Sequence, residues 1–414
     1  MRIAFIIGRF PSFSETFILN QITGLIDRGH QVDIYADYPK EQNKFHADIE
    51  KYHLFEHTYY RPQWSHPRTK ALFKGLGLFL QNFPKAPLTL LRSLNLFQYR
   101  KEAFSLRLLY GAIPILSKKP YDIIHCHFGQ FGKRGVALRQ IGAIQGKLIT
   151  SFHGGDINSS AWYSSEGTYQ QLFHLGDQFT VNSNFTADRV IALGCPPEKI
   201  VKLPMGLNLS LYQFKARYLQ ANEPVEILTV ARLVEKKGIE YSIRAVAQVL
   251  KQYPNLIYRI VGDGVLRESL EQLIQELDVS KNVKILGWMT QEEVRQLYTD
   301  SHIFILSSVT ARDGDKEGQG LVLQEAQAMG LPVLSTIHNG IPDGVLDGKS
   351  GFLVPEKDVD ALAEKLTDLI INPEQWLEMG RVGRAFIEEN YDINKLNDQL
   401  VNIYSKLIVK NIKT

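Results

Sequence analysis

Glu317 and Glu325 flank a glycine-rich turn in the segment ARDGDKEGQGLVLQEAQAMGLPVLST. Gly318 and Gly320, with Gln319 between them, lead into an apolar-periodic run that begins at Leu321. Backbone N–H groups at such a helix start can approach an anion closely. Glu317 falls in the loop and Glu325 in the helix. Carboxylates so placed can each accept paired hydrogen bonds from vicinal hydroxyls, such as those of a sugar ring and a ribose. The same spacing would also suit a capped helix carrying two solvated glutamates.

A second constellation lies in ARLVEKKGIE, where a strand delivers Arg232 and Lys237 follows before Gly238 and a helix. Arg offers a fork suited to phosphate oxygens, and Lys a compact charge. Loss of a diphosphate from an activated sugar needs that charge met by cations or a metal. Alone the two would pass for surface residues; beside the glutamate loop they read as a donor site. In SFHGGDI, His153 ends a strand next to Gly154 and Gly155, where a loop can bend close to a ligand and a histidine could hydrogen-bond a donor sugar. The loop GRFPSFSETF sets Gly8, Phe10, Ser14, Glu15 and Thr16 ahead of a helix, at the mouth of the same expected cleft.

Three further patterns are weaker. Asp313 and Asp315 form an Asp-Gly-Asp, but Arg312 and Lys316 already supply that loop with charge, so we assign no metal. His125 and His127 share a strand face without a Cys/His cluster beside them, and are expected to face the cleft as strand-end polar groups. VGDG, ending at Gly264, is half of a dinucleotide fingerprint and lacks its acidic residue, which argues against NAD.

The elements that would position these residues alternate strand, turn and helix throughout. IAFII, QVDIYA, YDIIHCHF, KLITSFHG and DQFTVNS read as strands of a first parallel sheet. VEILTVARL, LIYRIVGDG, VKILGWM, HIFILSS, GLPVLST and GFLVP read as a second, with helices such as GIEYSIRAVAQVL between them. Two doubly wound α/β domains facing each other would put strand C-terminal ends at a shared cleft. At 414 residues, two domains are the default.

Bulk properties exclude several classes. A net charge of +3 gives no argument for nucleic acid. Two distant cysteines, Cys126 and Cys195, fit a reducing cytoplasm and no disulfide framework. The start, MRIAFIIGRFPSF, reads as a buried strand, not a signal peptide, and no apolar run is long enough to span a bilayer. Between His57 and Tyr121, however, eleven basic residues face a single acid, Glu102, among runs such as GLGLFLQNF and LTLLRSLNLF. This is either a pair of solvated surface helices or a docking face for an anionic membrane or lipid phosphate.

ARLVEKKG, VGDG, LGWM, the Glu317/Glu325 pair, GLPVLST, NGIPD and GFLVP fall in the order of retaining glycosyltransferase family 4, which the sequence resembles over essentially its whole length. PSFSETFILNQI, His127–Gly129, LPMGLN and STIHNGIPD bring it nearest the colanic-acid-type exopolysaccharide transferases of that family. The resemblance implies a GT-B fold: an acceptor-side Rossmann-like domain over residues 1–204, a nucleotide-sugar domain over 205–384, and a C-terminal helix (385–414) returning to the first.

It further implies that Arg232 and Lys237 hold the diphosphate and Glu325 the ribose. Glu317, with backbone groups of Gly318 to Leu321, would hold the donor hexose. His153 would approach that sugar from the other domain, and residues around Gly287–Met289, including Trp288, would bound the base. Gly8 and Gly264 would line the donor side, and Phe10, Ser14, Glu15, Thr16 and His127 the acceptor side. The expected co-substrate is a UDP- or GDP-sugar, with no other cofactor and no metal. The expected acceptor is a saccharide or a polyprenyl-diphosphate-linked saccharide, met in the cytoplasm or at the inner membrane face. Ala231 replaces a common glycine, and Asn339 precedes Gly340 where relatives carry a second glycine. The alternatives are a sugar-nucleotide epimerase of the same fold and a non-catalytic sugar-nucleotide-binding protein.

Overall fold

The computed structural model describes residues 1–12, 15–38, 46–63, 67–158 and 167–409; Ser14 lies outside them. The first half builds one all-parallel sheet from β1 (Arg2–Ile6), β2 (Gln31–Ala36), β3 (Thr58–Tyr60), β4 (Ile123–His127), β5 (Lys147–Phe152), β6 (Gln178–Val181) and β7 (Ile200–Lys202). Their spatial order is β3-β2-β1-β4-β5-β6-β7. β4 is buried along its whole length, as expected for a strand covered on both faces.

Helix α1 (Thr16–Asp27) joins β1 to β2. A helical insertion separates β3 from β4: α2 (Arg68–Asn82), α3 (Pro87–Ser93), α4 (Leu96–Phe104) and α5 (Arg107–Ala112). Helix α6 (Gly129–Gln140) then follows β4. Gly135 of α6 lies so close to Cys126 and Leu148 that a Cβ would come within 2.7 Å of each, which lets the helix settle onto β4 and β5.

The second half repeats the plan with a cleaner rhythm. Its strands β8 (Val225–Val230), β9 (Leu256–Val261), β10 (Val283–Gly287), β11 (Ile303–Leu306), β12 (Val333–Thr336) and β13 (Gly351–Val354) lie in the order β10-β9-β8-β11-β12-β13, again all parallel. Helix α7 (Ile239–Leu250) buries Ile239, Ile243, Val246 and Val249, a 3.6-residue stripe facing the sheet. Helix α8 (Gln291–Asp300) opens on a capping box between Thr290 and Glu293. Helices α9 (Leu321–Ala328), α10 (Val359–Ile371) and α11 (Trp376–Asn390) also belong to this half, as does the helix Arg267–Glu276 between β9 and β10.

α11 is one continuous helix through residues 384 and 385, and Gly380 lies against the backbone of Gly330, so residues 385–390 stay with the second sheet. The chain crosses back at Tyr391–Asp392. There the Leu207 N–H bonds the Tyr391 carbonyl (2.8 Å) and the Ile393 N–H bonds the Leu207 carbonyl (2.9 Å), tying the two crossings together. Helix α12 (Ile393–Val409) then lies on α1: Asn397 fills the space over Gly24, and Arg28 donates to Asp398 (2.7 Å).

Candidate active site

In each sheet the strand order reverses beside its first strand, between β1 and β4 and between β8 and β11. Loops leaving the carboxyl ends at such points form the crevice in which α/β proteins hold ligands. The two crevices of this chain face each other.

One wall is charged. Beyond β8 the chain passes Arg232, makes a short turn at Glu235–Lys237, and starts α7 after Gly238 (φ +61°). A side chain at Gly238 would strike the Ser307 carbonyl, so only glycine lets this turn close on β11. The turn presents two lysines: Lys236 to Asp315 (3.0 Å) and Lys237 to Glu317, in a tight ion pair that is largely shielded from solvent. Arg232 is exposed and has no side-chain partner among the described residues.

Glu317 is also fixed through its backbone. His338, fully buried, donates from Nδ1 to Glu356 (2.6 Å), which leaves Nε2 to accept the Glu317 N–H (3.0 Å). Asn339 donates to the Glu317 carbonyl (2.9 Å). Burial would raise the Glu317 carboxyl, but Lys237, Lys236 and the Gly318 N–H outweigh it and hold the pKa at about 2. The Gly318 N–H, expected for a ligand, here reaches the Glu317 carboxylate (3.2 Å). Gln319 is buried with its amide clamped on Met205 of the interdomain linker, accepting at 2.8 Å and donating at 2.9 Å. Gly320, at φ +73°, supplies the left-handed residue from which α9 starts.

Glu325, in the same helix, is in a different medium. Burial pushes its carboxyl up to about 7 against the hydroxyls of Tyr298 (3.1 Å) and Tyr212, with Arg295 more distant. It lines a cleft of about 320 Å³ together with Thr16, Phe17 and Asn20 of α1 and Gln291 and Arg295 of α8. Trp288 stands 77% exposed just ahead of α8, and Met289 packs against the core beside it.

The opposite wall is built of neutral rings. His125, His127 and His153 stack in series, with centroids 4.4 and 5.2 Å apart. His125 sits between the Tyr404 hydroxyl (2.6 Å) and Ser151 Oγ (2.7 Å), and His127 Nδ1 meets His153 Nε2 (3.0 Å). Burial drives the pKa of His125 and His153 down to about 3 and that of His127 well below its ordinary value. His153 Nδ1 has no hydrogen-bond partner among the described residues. Buried Asp156 shapes the loop by accepting the N–H groups of His153 and Gly154 (both 3.1 Å) and Gly129 (2.8 Å).

The walls touch. Gly318 lies against the His153 carbonyl, 2.7 Å from where its Cβ would be. Across the same gap Asp343 accepts the backbone N–H (2.6 Å) and side-chain amide (3.0 Å) of Asn184, with Lys202 nearby.

Other expected residues fall elsewhere. His125 and His127 do not face the cleft: strand pleat and α12 enclose them behind His153. Phe10 is buried in the core beneath α1, its carbonyl taken by Tyr60. Gly264 abuts the Leu233 carbonyl, a close approach between two loops that accounts for the glycine by itself. Gly8 and Glu15 line a second cleft of about 460 Å³, with Arg9, Phe128 and Gln130. Asp315 is engaged by Lys236. The sequence carries no pointer to Tyr212, Tyr298 or Arg295, and to His338 only its place beside Asn339 in STIHNGIPD.

Residues 14–211 match the family described as Glycosyltransferase Family 4, and residues 213–386 the one described as Glycosyl transferases group 1. The chain is 36% identical over 410 residues to the colanic acid biosynthesis glycosyltransferase WcaL of Salmonella typhimurium, covering 97% of this chain and 99% of the relative. It is also 36% identical over 412 residues to the amylovoran biosynthesis glycosyltransferase AmsK of Erwinia amylovora (98% and 100% covered). Among solved structures, Anabaena HepE in complex with UDP and glucose superposes with a TM-score of 0.69 at 18% identity, over 98% of this chain and all of that one. Sucrose-phosphate synthase from Thermosynechococcus elongatus does so at 0.67 and 19%, covering 99% and 100%. The fold is the two-sheet GT-B arrangement.

Proposed function

As a member of glycosyltransferase family 4, we propose, this chain moves a hexose or uronic acid from a nucleoside diphosphate sugar to a saccharide or lipid-linked saccharide, in exopolysaccharide or cell-surface glycan assembly. The observation that carries this reading is the Lys237–Glu317 pair meeting the His153 loop where two parallel sheets present their carboxyl ends. In this reading Arg232 and Lys237 take the diphosphate and Glu325 the ribose. Glu317 and the His153 wall take the sugar, and Trp288 borders the base. Lys237 must then share itself between Glu317 and the incoming diphosphate, which frees a Glu317 oxygen for a sugar hydroxyl.

Transfer would proceed with retention. The bond from the anomeric carbon to the phosphate oxygen breaks, the acceptor oxygen bonds on the same face, and its proton passes to the departing phosphate. The negative charge gathering on the diphosphate would be met by Arg232 and by Lys237, the latter already held in place by Glu317. Asp156 is spent on backbone N–H groups and Glu317 on Lys237, which favours this course over a carboxylate nucleophile. The acceptor would enter by the cleft of Gly8, Glu15 and Gln130. Gln130 also lines a pocket of about 230 Å³ with Arg61, Arg107, Lys133 and Arg134, suited to the phosphate of a lipid-linked acceptor. Two buried free cysteines accord with work in the reducing cytoplasm.

The test is a panel of UDP- and GDP-sugars with the purified chain and its Glu317→Gln variant. Slow donor hydrolysis by the wild type that the variant lacks is the expected result. Donor isomerisation without acceptor would mean an epimerase, and binding with no turnover in either protein a binding module.

A further inference from the structure

The insertion between β3 and β4 is turned inside out. Helix α2 rests on α5 through its smallest residues: the Ala71 carbonyl accepts the Tyr110 hydroxyl (2.8 Å), and Gly75 abuts Leu106 and Tyr110. Its large apolar residues point to solvent. At 100° per residue Leu72, Phe73, Leu76, Leu80 and Phe83 fall within an arc of about 100°, roughly a third of the helix surface. Phe73 is 77% exposed; on the helices that follow, Leu88 and Leu91 are exposed, as are Phe97 (98%) and Phe104 (75%). A soluble monomer rarely leaves so many large apolar side chains together in water.

Charge identifies what covers them. Lys70, Lys74, Lys85, Arg92 and Arg100 are exposed on the same three helices or their links, and Glu102 is the single acid there. Long cationic side chains beside protruding Phe and Leu match an anionic bilayer, where rings enter the acyl boundary and cations stay with headgroup phosphates. Among the described residues no helix is long and apolar enough to cross a membrane, so contact would be peripheral.

We infer that the outer face of α2, α3 and α4 docks the protein on an anionic lipid surface. Docking goes beyond the transferase reading and does not rest on it. It does place the pocket of Arg61, Arg107 and Lys133, which Glu102 also lines, at the rim of the lipid face.

Flotation of the full chain with vesicles of phosphatidylglycerol and phosphatidylethanolamine, against phosphatidylcholine alone, tests it. Binding to the anionic vesicles should fall in high salt. It should fall at least roughly tenfold in Lys74→Glu/Arg92→Glu, since each cation near such a surface is worth a several-fold change. The variant Phe73→Ser/Phe97→Ser/Phe104→Ser should lose flotation while retaining its circular dichroism and donor hydrolysis. Absent flotation at low salt, or flotation indifferent to both variants, overturns the inference. So does a wild-type oligomer on gel filtration that the triple variant dissolves without any vesicle binding, because a second copy would then be the cover.

Discussion

The two walls of the cleft solve the same problem with opposite means. The wall behind β8 and α9 is charged: Lys236 and Lys237 hold Asp315 and Glu317 in place, and Arg232 has no side-chain partner among the described residues. The wall behind β4 and β5 is as polar in composition but uncharged, because burial lowers the pKa of its three imidazoles, His125 and His127 lying wholly enclosed behind His153. Stabilising a leaving diphosphate needs fixed charge, whereas holding a sugar hydroxyl needs a donor or acceptor that does not compete for that charge. The difference teaches that an opposite charge close by, and not burial alone, decides which side of this site does electrostatic work: shielded Glu317 stays ionised beside Lys237, whereas burial alone acts on His153.

Substitutions on the charged wall should have the largest effect. Lys237→Ala is expected to lower turnover roughly 10²–10³-fold, the range for losing a charge-stabilising donor. It should also cost about 2 kcal/mol of stability, since Glu317 would stay shielded without its partner. Arg232→Ala should cut turnover roughly 10²-fold, with an unchanged melting temperature because no side chain among the described residues pairs with it. Steady-state kinetics beside thermal melts separate the two; equal losses of stability would erase the distinction between a paired and a waiting cation.

The neutral wall should respond less and differently. His153→Ala should lower turnover roughly tenfold to a hundredfold, the range for losing one hydrogen bond to the sugar, and activity between pH 5 and 8 should show no titration from this ring. Stability carries its signature instead. With folded pKa values near 3, His125 and His153 are unprotonated in the native state, while the unfolded chain takes protons below about 6.5. Their contribution is therefore complete above that value and declines as pH falls towards 3. Proton uptake on unfolding at pH 5 should drop in His125→Asn; unchanged uptake would mean these rings are already charged in the fold.

Glu325 brings the comparison inside a single loop-and-helix segment, eight residues on from Glu317. Its folded pKa of about 7 lies above the ordinary 4.5, so the native state holds a proton the unfolded chain releases. Stability from this group is thus present at low pH and is lost as pH rises towards 7 and beyond. Nucleotide binding should run the other way, because ribose hydroxyls donate best to the anion. Titrated by calorimetry, UDP or GDP affinity should rise roughly tenfold from pH 6 to 8, and Glu325→Gln should flatten that rise. A variant that keeps the slope would remove Glu325 from the nucleotide.

Much of this was legible in the residues. Strand–turn–helix alternation gave the second sheet and five of the seven strands of the first, the short edge strands β3 and β7 carrying too little pattern to show. The glycine-rich turn after Glu317 marked one wall of the cleft. Those signals are local. What is set by tertiary packing was not. His125 and His127 read as cleft residues because their strand pattern is the same whether α12 covers them or not. Gly264 and Gln319 read as donor contacts, yet loop-on-loop approach and the clamp on Met205 account for them. Tyr212 and Tyr298 had no signal, lying far from Glu325 in sequence. The basic apolar run from His57 to Tyr121 was visible, but only the structure revealed that its large side chains point outward.

The smallest effect should come from the contact that joins the walls. Asp343 takes the backbone N–H and the amide of Asn184 at the start of the helix Asn184–Ala192, with Lys202 at 3.4 Å. Asn184→Ala removes the amide and leaves the backbone bond, so the closed cleft should lose only about 1 kcal/mol. If closure serves to keep water from the donor, transfer should fall a few-fold while donor hydrolysis without acceptor holds or rises. Asp343→Ala, which removes both bonds, should move the same ratio further in the same direction. A fall of hydrolysis and transfer together would mean the contact shapes the donor site itself and does not act by bringing the two walls together.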